Sequence, residues 1–340
     1  MDEQAPASQE APHVSNRRVK RRLMYWLVAL YSVSLAAAAI LALRAQRPER
    51  GQGQGQDQGK SLLSLAEKDS VGWVAIHGPI YNSDDGRLWE KGAEQWTRRI
   101  RELAETKGVK AIVLDINSPG GSVGAVQEIY SQILRVRKEK KIPFVALFDD
   151  VAASGGYYIA AACDKIVAHP GTLTGSIGVI FSVSNLEGLF QKVGYKVEPI
   201  KSGRLKDIGS PSRPMTKEER DLLQALIDDA YGQFLEAVSL GRKIPADQVR
   251  PLADGRIFSG HQALGDKLVD LLGDSTDAVE LAAKLGGIPG KPRIRRGGDH
   301  LSDILDFLDS RFHGGSPGAA SLLERFEPPR LGLEYRWPGW

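Results

Sequence analysis

Val109-Lys110-Ala111-Ile112-Val113-Leu114-Asp115-Ile116-Asn117 runs directly into Ser118-Pro119-Gly120-Gly121-Ser122. A mostly apolar stretch of this length, closed by Pro and Gly, reads as a buried strand and a sharp change of direction. The spacing of apolar residues then switches, and 123–140 reads as an amphipathic helix. Further along, 144–148 and 166–169 read as strands either side of a short helix at 155–163, and 71–76 reads as a short strand upstream. Strands alternating with helices in this way argue for α/β layers joined by crossover connections. A helix at 185–193 and a strand at 196–200 follow. Thr216-Lys217-Glu218-Glu219 has the form of a capping box and opens a helix that reaches about residue 242. Segments 246–252, 260–264 and 276–285 extend that helical layer.

The chemistry sits around the same strands. Asp149-Asp150-Val151-Ala152-Ala153-Ser154-Gly155-Gly156-Tyr157-Tyr158 places a serine among small residues at the opening of a helix. A serine hydroxyl is a weak nucleophile and needs an adjacent base; a lysine serves if burial leaves its amine neutral. Lys201-Ser202-Gly203-Arg204-Leu205-Lys206-Asp207 offers two such lysines, Lys201 and Lys206. Gly120 and Gly121 allow backbone geometry closed to other residues, so their N–H groups can converge on a developing oxyanion, with the N–H of Gly155 as a second donor. Each feature also has a plain structural reading. Ser154 suits a helix N-cap, either glycine pair suits a tight turn, and most lysines are solvated surface charges.

Four segments occur in order: Asn117-Ser118-Pro119-Gly120-Gly121-Ser122, Ala153-Ser154-Gly155-Gly156-Tyr157-Tyr158-Ile159-Ala160, Gly175-Ser176-Ile177-Gly178-Val179-Ile180, and Lys201 to Pro211. Together they resemble the signal peptide peptidase A family, also called protease IV, in its short single-unit bacterial form. The resemblance covers about 70–286. It implies a Clp protease/crotonase-like α/β fold, a repeated ββα spiral with a helical layer. It implies Ser154 as nucleophile, Lys206 as general base, Ser176 as the residue that orients the lysine, and Gly121 and Gly155 as the oxyanion hole. The expected activity is that of a serine endopeptidase degrading cleaved signal peptides and other apolar peptides, with no cofactor, and with homo-oligomers that combine neighbouring subunits. A crotonase-like acyl-CoA enzyme or a catalytically silent membrane assembly factor is the alternative, but neither needs Ser154 and Lys206 together.

Other chemistries have less to stand on. The six histidines show no spacing that marks a metal site. His169 could in principle pair with Ser154 and a carboxylate such as Asp164 or Asp207, but it precedes Pro170-Gly171, where a strand ends. Cys163, the single cysteine, has no disulfide partner and reads as a small buried residue. A net charge of +3 over 340 residues, with Lys and Arg dispersed beyond the amino terminus, leaves no nucleic-acid footprint.

Location is read from the amino terminus. Residues 1–22 end in Arg17-Arg18-Val19-Lys20-Arg21-Arg22, and 23–43 form an uncharged, mostly apolar run. That run is close to the roughly 20 residues a helix needs to cross a bilayer core. The basic cluster should stay in the cytoplasm, which makes the chain a single-pass inner-membrane protein with its catalytic domain outside. A cleaved signal peptide is the competing reading. Residues 44–69 read as a flexible linker, 70–286 as the peptidase domain, and 287–340 as a partly disordered carboxyl-terminal extension.

Overall fold

The computed structural model describes residue 31 and residues 69–82, 92–297 and 333–336. The chain divides into two compact units, Met1–Leu62 and Leu63–Trp340. In the first, only Tyr31, an exposed helical residue, is described. The span expected at 23–43 therefore lies outside the described residues apart from that tyrosine. Among the described residues, no helix is long and apolar enough to cross a membrane.

The second unit is a mixed α/β fold built on a largely parallel sheet. Its elements begin with β1 (Ser70–His77), α1 (Ala93–Glu105), β2 (Val109–Ser118), β3 (Gly120–Ser122), α2 (Val123–Lys140) and β4 (Phe144–Ala153). Next come α3 (Gly155–Ala161), β5 (Lys165–Ala168), β6 (Leu173–Gly175), α4 (Glu187–Lys192), α5 (Lys217–Arg242) and α6 (Ala246–Val249), the last followed by a 3₁₀ turn at Arg250–Leu252. The final elements are β7 (Ile257–Ser259), α7 (Gly260–Gly265), β8 (Leu271–Leu272), α8 (Ser275–Leu285), β9 (Arg293–Arg296) and β10 (Glu334–Arg336).

The main sheet runs β7-β6-β4-β2-β1-β9, with β5 and β8 branching from β4. β4 changes neighbour along its length: Val145 to Phe148 pair with β5, whereas Val151 to Ala153 pair with β6. Among the described residues, only the β6–β7 pair in this sheet is antiparallel. β3 leaves the sheet and pairs antiparallel with β10.

Both faces of the central strands are covered, which explains why β2 and β4 read as almost unbroken apolar runs. Val71, Val113, Val145 and Leu147 face Ala278 and Ala282 of α8. Ile76, Leu114, Ile116, Phe144 and Phe148 face the larger core made with α1, α2, α3 and α5. Each fully buried Phe or Leu side chain contributes about 1.5–3 kcal/mol relative to exposure.

The expected helix at 123–140 matches α2, and the capping box at Thr216 is present: Thr216 Oγ1 accepts from Glu219 N at 3.2 Å, and Thr216 N donates to the Glu219 carboxylate at 2.9 Å. One expectation needs correction. Residues 196–200 form no strand, because they find no sheet partner; Val197 and Ile200 are exposed. The helix α1 was not anticipated, although Ala93, Trp96, Ile100 and Leu103 form a buried stripe at helical spacing.

Candidate active site

β4 ends at Ala153 and hands the chain to Ser154, which is 1% exposed and holds φ +52°. A positive φ is uncommon outside glycine and stores strain. Two backbone hydrogen bonds fix it: Ser154 N donates to Gly175 O at 2.8 Å, and Ser154 O accepts from Tyr158 N at 2.9 Å. Although Ser154 occupies the N-cap position of α3, its side chain makes no capping bond. The hydroxyl has no hydrogen-bond partner among the described residues, so it is not spent on holding the helix.

The two glycine pairs meet. Gly120, at φ +97°, lies so close to α3 that a Cβ there would come within 2.5 Å of Gly155 N. A Cβ on Gly121 would overlap the Ile80 carbonyl on the other side of β3. Neither pair is therefore an ordinary turn; they are strand and helix backbones in van der Waals contact. Gly155 is the first residue of α3, where a backbone N–H has no partner within the helix.

Ser176 sits one residue beyond the carbonyl that binds Ser154 N. It is 7% exposed at φ +48°, and its own N–H donates to Arg256 O at 2.7 Å. With Val179, Ile180, Tyr231 and Arg336 it lines a cavity of about 580 Å³. The structure thus brings Ser154, Gly121, Gly155 and Ser176 to one place. It does not bring the Lys206 amine into hydrogen-bond contact with them. Lys206 is exposed on the segment between α4 and α5, its N–H donating to Gly203 O at 3.1 Å, and its amine has no partner among the described residues.

The rival base, Lys201, is occupied: its Nζ donates to Asp207 Oδ1 at 2.7 Å. Arg213 donates to Asp207 at 3.0 Å and to Glu219 at 2.5 Å. Hydrogen bonds from Arg213 and then Lys201 hold the Asp207 carboxyl well below its ordinary range. Arg213, with the Thr216 backbone, brings Glu219 down to about 2. Histidine chemistry loses its carboxylates. Asp164 is held by Arg137 and by Phe144 N at 2.8 Å, and Asp207 by the pairs just described. His169 closes a turn, its carbonyl accepting from Thr172 N at 3.1 Å. Cys163 is buried, and burial pushes its thiol up.

One group among the described residues has metal-ligand chemistry. His77, Asp115 and Asp149 each offer an atom within 4.8 Å of the others. They come from β1, β2 and β4, and His77 Nε2 lies 3.2 Å from Asp115 Oδ2. No spacing rule could reveal them, because only strand pairing brings them together.

A serine that is 1% exposed, makes no capping bond and sits beside two closely packed glycine pairs suits a serine hydrolase, and the comparisons specify which. A family model for peptidase family S49 matches residues 136–288, and one for Clp protease matches residues 85–172. A Synechocystis protein named as a protease is 45% identical over 231 residues, covering 64% of this chain and 83% of that protein. An Enterococcus faecium protein named for signal peptide peptidase SppA is 36% identical, covering 66% of each. Protease 4 of Salmonella typhi is 37% identical over 64% of this chain, which spans only 35% of that longer protein. The protein is a serine protease. The chain belongs to peptidase family S49.

Proposed function

We propose that the protein is a membrane-anchored serine endopeptidase working through a Ser-Lys dyad on cleaved signal peptides and other apolar peptides. Ser154 is the nucleophile, Lys206 the general base, Ser176 the residue that orients the lysine, and Gly121 and Gly155 the oxyanion donors. The carrying observation is that Ser154, a residue only 1% exposed, makes no capping bond with its side chain, while the two glycine pairs beside it pack backbone to backbone. The repeated ββα spiral of the Clp protease group fits the match at 85–172 and the neighbour change along β4.

In this reading the proton of Ser154 passes to the Lys206 amine as Oγ attacks the scissile carbonyl. The amide N–H groups of Gly121 and Gly155 stabilise the oxyanion. Collapse of the tetrahedral intermediate breaks the scissile C–N bond, the lysine gives the proton it took up to the departing amine, and water, with the same lysine as base, then hydrolyses the acyl-enzyme and returns the proton to Ser154 Oγ. Since Lys206 is exposed on a segment that also exposes Leu189, Val193, Tyr195 and Ile200, the dyad is completed by self-association, in which a neighbouring copy covers those apolar side chains. Residues 23–43 anchor the chain in the cytoplasmic membrane, and the basic cluster at 17–22 keeps the amino terminus inside.

Single and double alanine variants at Ser154 and Lys206 test the dyad on an apolar peptide. Each single change should lower turnover by several orders of magnitude, and the double change by little more. Near-normal activity in Lys206→Ala would sink the dyad. For the anchor, alkaline phosphatase fused after Trp340 should be active; an inactive fusion, with a bright cytoplasmic fluorescent fusion, would invert the topology.

A further inference from the structure

The sheet face that packs on α8 turns polar as its strands approach Ser154. Val113 of β2 and Val145 and Leu147 of β4 belong to the core made with α8. Side chains alternate along a strand, so Asp115, Asn117 and Asp149 follow on that same face. Register sets His77 of β1 beside Asn117 and sets Ile116 of β2 beside Phe148. Three neighbouring strands thereby gather His77, Asp115 and Asp149, with one ligand atom of each within 4.8 Å of the others.

Charge leaves this group unbalanced. Two carboxylates face one imidazole, and among the described residues neither Asp115 nor Asp149 pairs with a lysine or an arginine. The Asp149 carboxylate accepts instead from the neutral Asn117 Nδ2 at 3.4 Å. A protonated His77 offsets one of the two negative charges, whereas a bound dication offsets both. The Asp115 side chain is only 15% exposed, which strengthens the attraction, and the His77 side chain, 49% exposed, leaves a path for an ion to enter.

Spacing and donor type select the ion. Zinc held at about 2.0–2.2 Å by nitrogen and oxygen sets its ligand atoms about 3.3 Å apart in a tetrahedron. His77 Nε2 and Asp115 Oδ2 already stand 3.2 Å apart, so Asp149 is the ligand that has to close in. Its place in the strand allows that. Asp149 falls after Phe148 and before Val151, where β4 leaves β5 for β6 and the β2–β4 register shifts, so no ladder pair locks it. Asn117 backs it, its Oδ1 accepting from Val151 N at 3.3 Å, the kind of outer contact that orients a ligating carboxylate. An imidazole with two carboxylates favours a first-row transition ion over magnesium or calcium, which take oxygen sets.

We propose that His77, Asp115 and Asp149 bind one zinc ion, which clamps the carboxyl ends of β1, β2 and β4 beneath the catalytic loops. Each of these strands leads shortly into the candidate active site. β1 continues to Ile80, whose N–H donates to Gly120 O at 2.9 Å, β2 to Gly120 and Gly121, and β4 to Ser154. The ion takes no part in bond breaking; it steadies the base on which the serine and the glycine pairs stand. The inference does not depend on which residue serves as the base.

The test uses the full chain, stripped of metal by a chelator and followed by calorimetric titration and thermal melting. Zinc should bind with one equivalent per chain, and at a hundred times its Kd should raise the melting temperature by about 5 °C. Magnesium and calcium at that concentration should do neither. His77→Gln and Asp149→Asn keep side-chain size and should each weaken zinc binding at least about tenfold, while His261→Gln, at an exposed histidine elsewhere, should bind as the parent does. A measurement on the unmutated chain stands beside these: zinc should protect His77, but not His261, from diethyl pyrocarbonate, as mapped by mass spectrometry. Absence of a one-equivalent zinc complex, binding that survives both ligand variants, equal binding of magnesium, or modification of His77 that ignores zinc would each overturn the proposal.

Discussion

Ser154 N donates to Gly175 O at 2.8 Å, so a single backbone hydrogen bond joins Ser154 to the turn that carries Ser176. Both serines hold positive φ, +52° and +48°. Backbone of this kind costs about 1–3 kcal/mol per residue and persists only where the surroundings impose it. Here the surroundings are β6 on one side and Arg256 O on the other. The geometry of the site is thus maintained by main-chain bonds rather than by the side chains that do the chemistry.

Strain and function should therefore separate at Ser176. Ser176→Gly relieves the left-handed backbone and should raise stability by about 1 kcal/mol, whereas Ser176→Ala should not. Both should lower kcat about tenfold without abolishing it, through loss of the hydroxyl that the proposed dyad uses to orient the lysine. Denaturant melts and steady-state rates of the two variants check this. Equal stability of Gly and Ala variants would remove strain as the explanation, and unchanged kcat would leave Ser176 a turn residue.

The proposed completion of the site by a neighbouring copy predicts complementation. Ser154→Ala and Lys206→Ala chains, inactive alone, should regain activity when co-expressed, since mixed assemblies contain sites with both groups intact. Persistently inactive mixtures that co-purify would show that each chain supplies its own lysine.

Acid should loosen the segment before α5. Glu219 has its folded pKa lowered to about 2 by Arg213, against about 4.3 when unfolded. Its contribution is fully present above the unfolded value and is lost as pH falls through the folded one. The melting temperature should drop between pH 5 and 2, in about that window, and Arg213→Ala should flatten the drop. An unchanged slope in Arg213→Ala would show that other carboxylates dominate.

The buried Cys163 thiol should resist a thiol reagent at pH 8 in the folded protein and react at once in guanidinium chloride, because burial raises its pKa. Fast labelling of the native chain would show that α3 opens on the timescale of the reaction.

Much of this architecture is legible along the chain where local pattern and tertiary role agree. α2 is apolar at helical spacing, and the Thr216–Glu219 box is a four-residue signal. The strand expected at 196–200 fails because alternation is only permission to pair, and no partner strand lies beside it. β10 is hidden for the converse reason: Glu334-Tyr335-Arg336 has no strand signature of its own, and its structure comes from Gly120–Ser122 far upstream. Ser154 and its glycines are visible as a motif. The packing around Tyr335 is not, because Tyr158, Ala230 and Phe234 converge only when α3 packs on α5.

The neighbour change along β4 divides responsibilities within one strand. Its first half is bonded to β5, which continues to β8 and supports the core under α8. Its last three residues pair on that side with β6, and through β6 with β7, while Ala152 keeps Ser118 of β2 as its partner on the other. Sequence change on the β5–β8 flank can accumulate without tilting Ser154, whereas even a conservative change in β6 or β7 is transmitted to it. For anyone redesigning this enzyme, the first flank is the place to add stability and the second the place to retune activity.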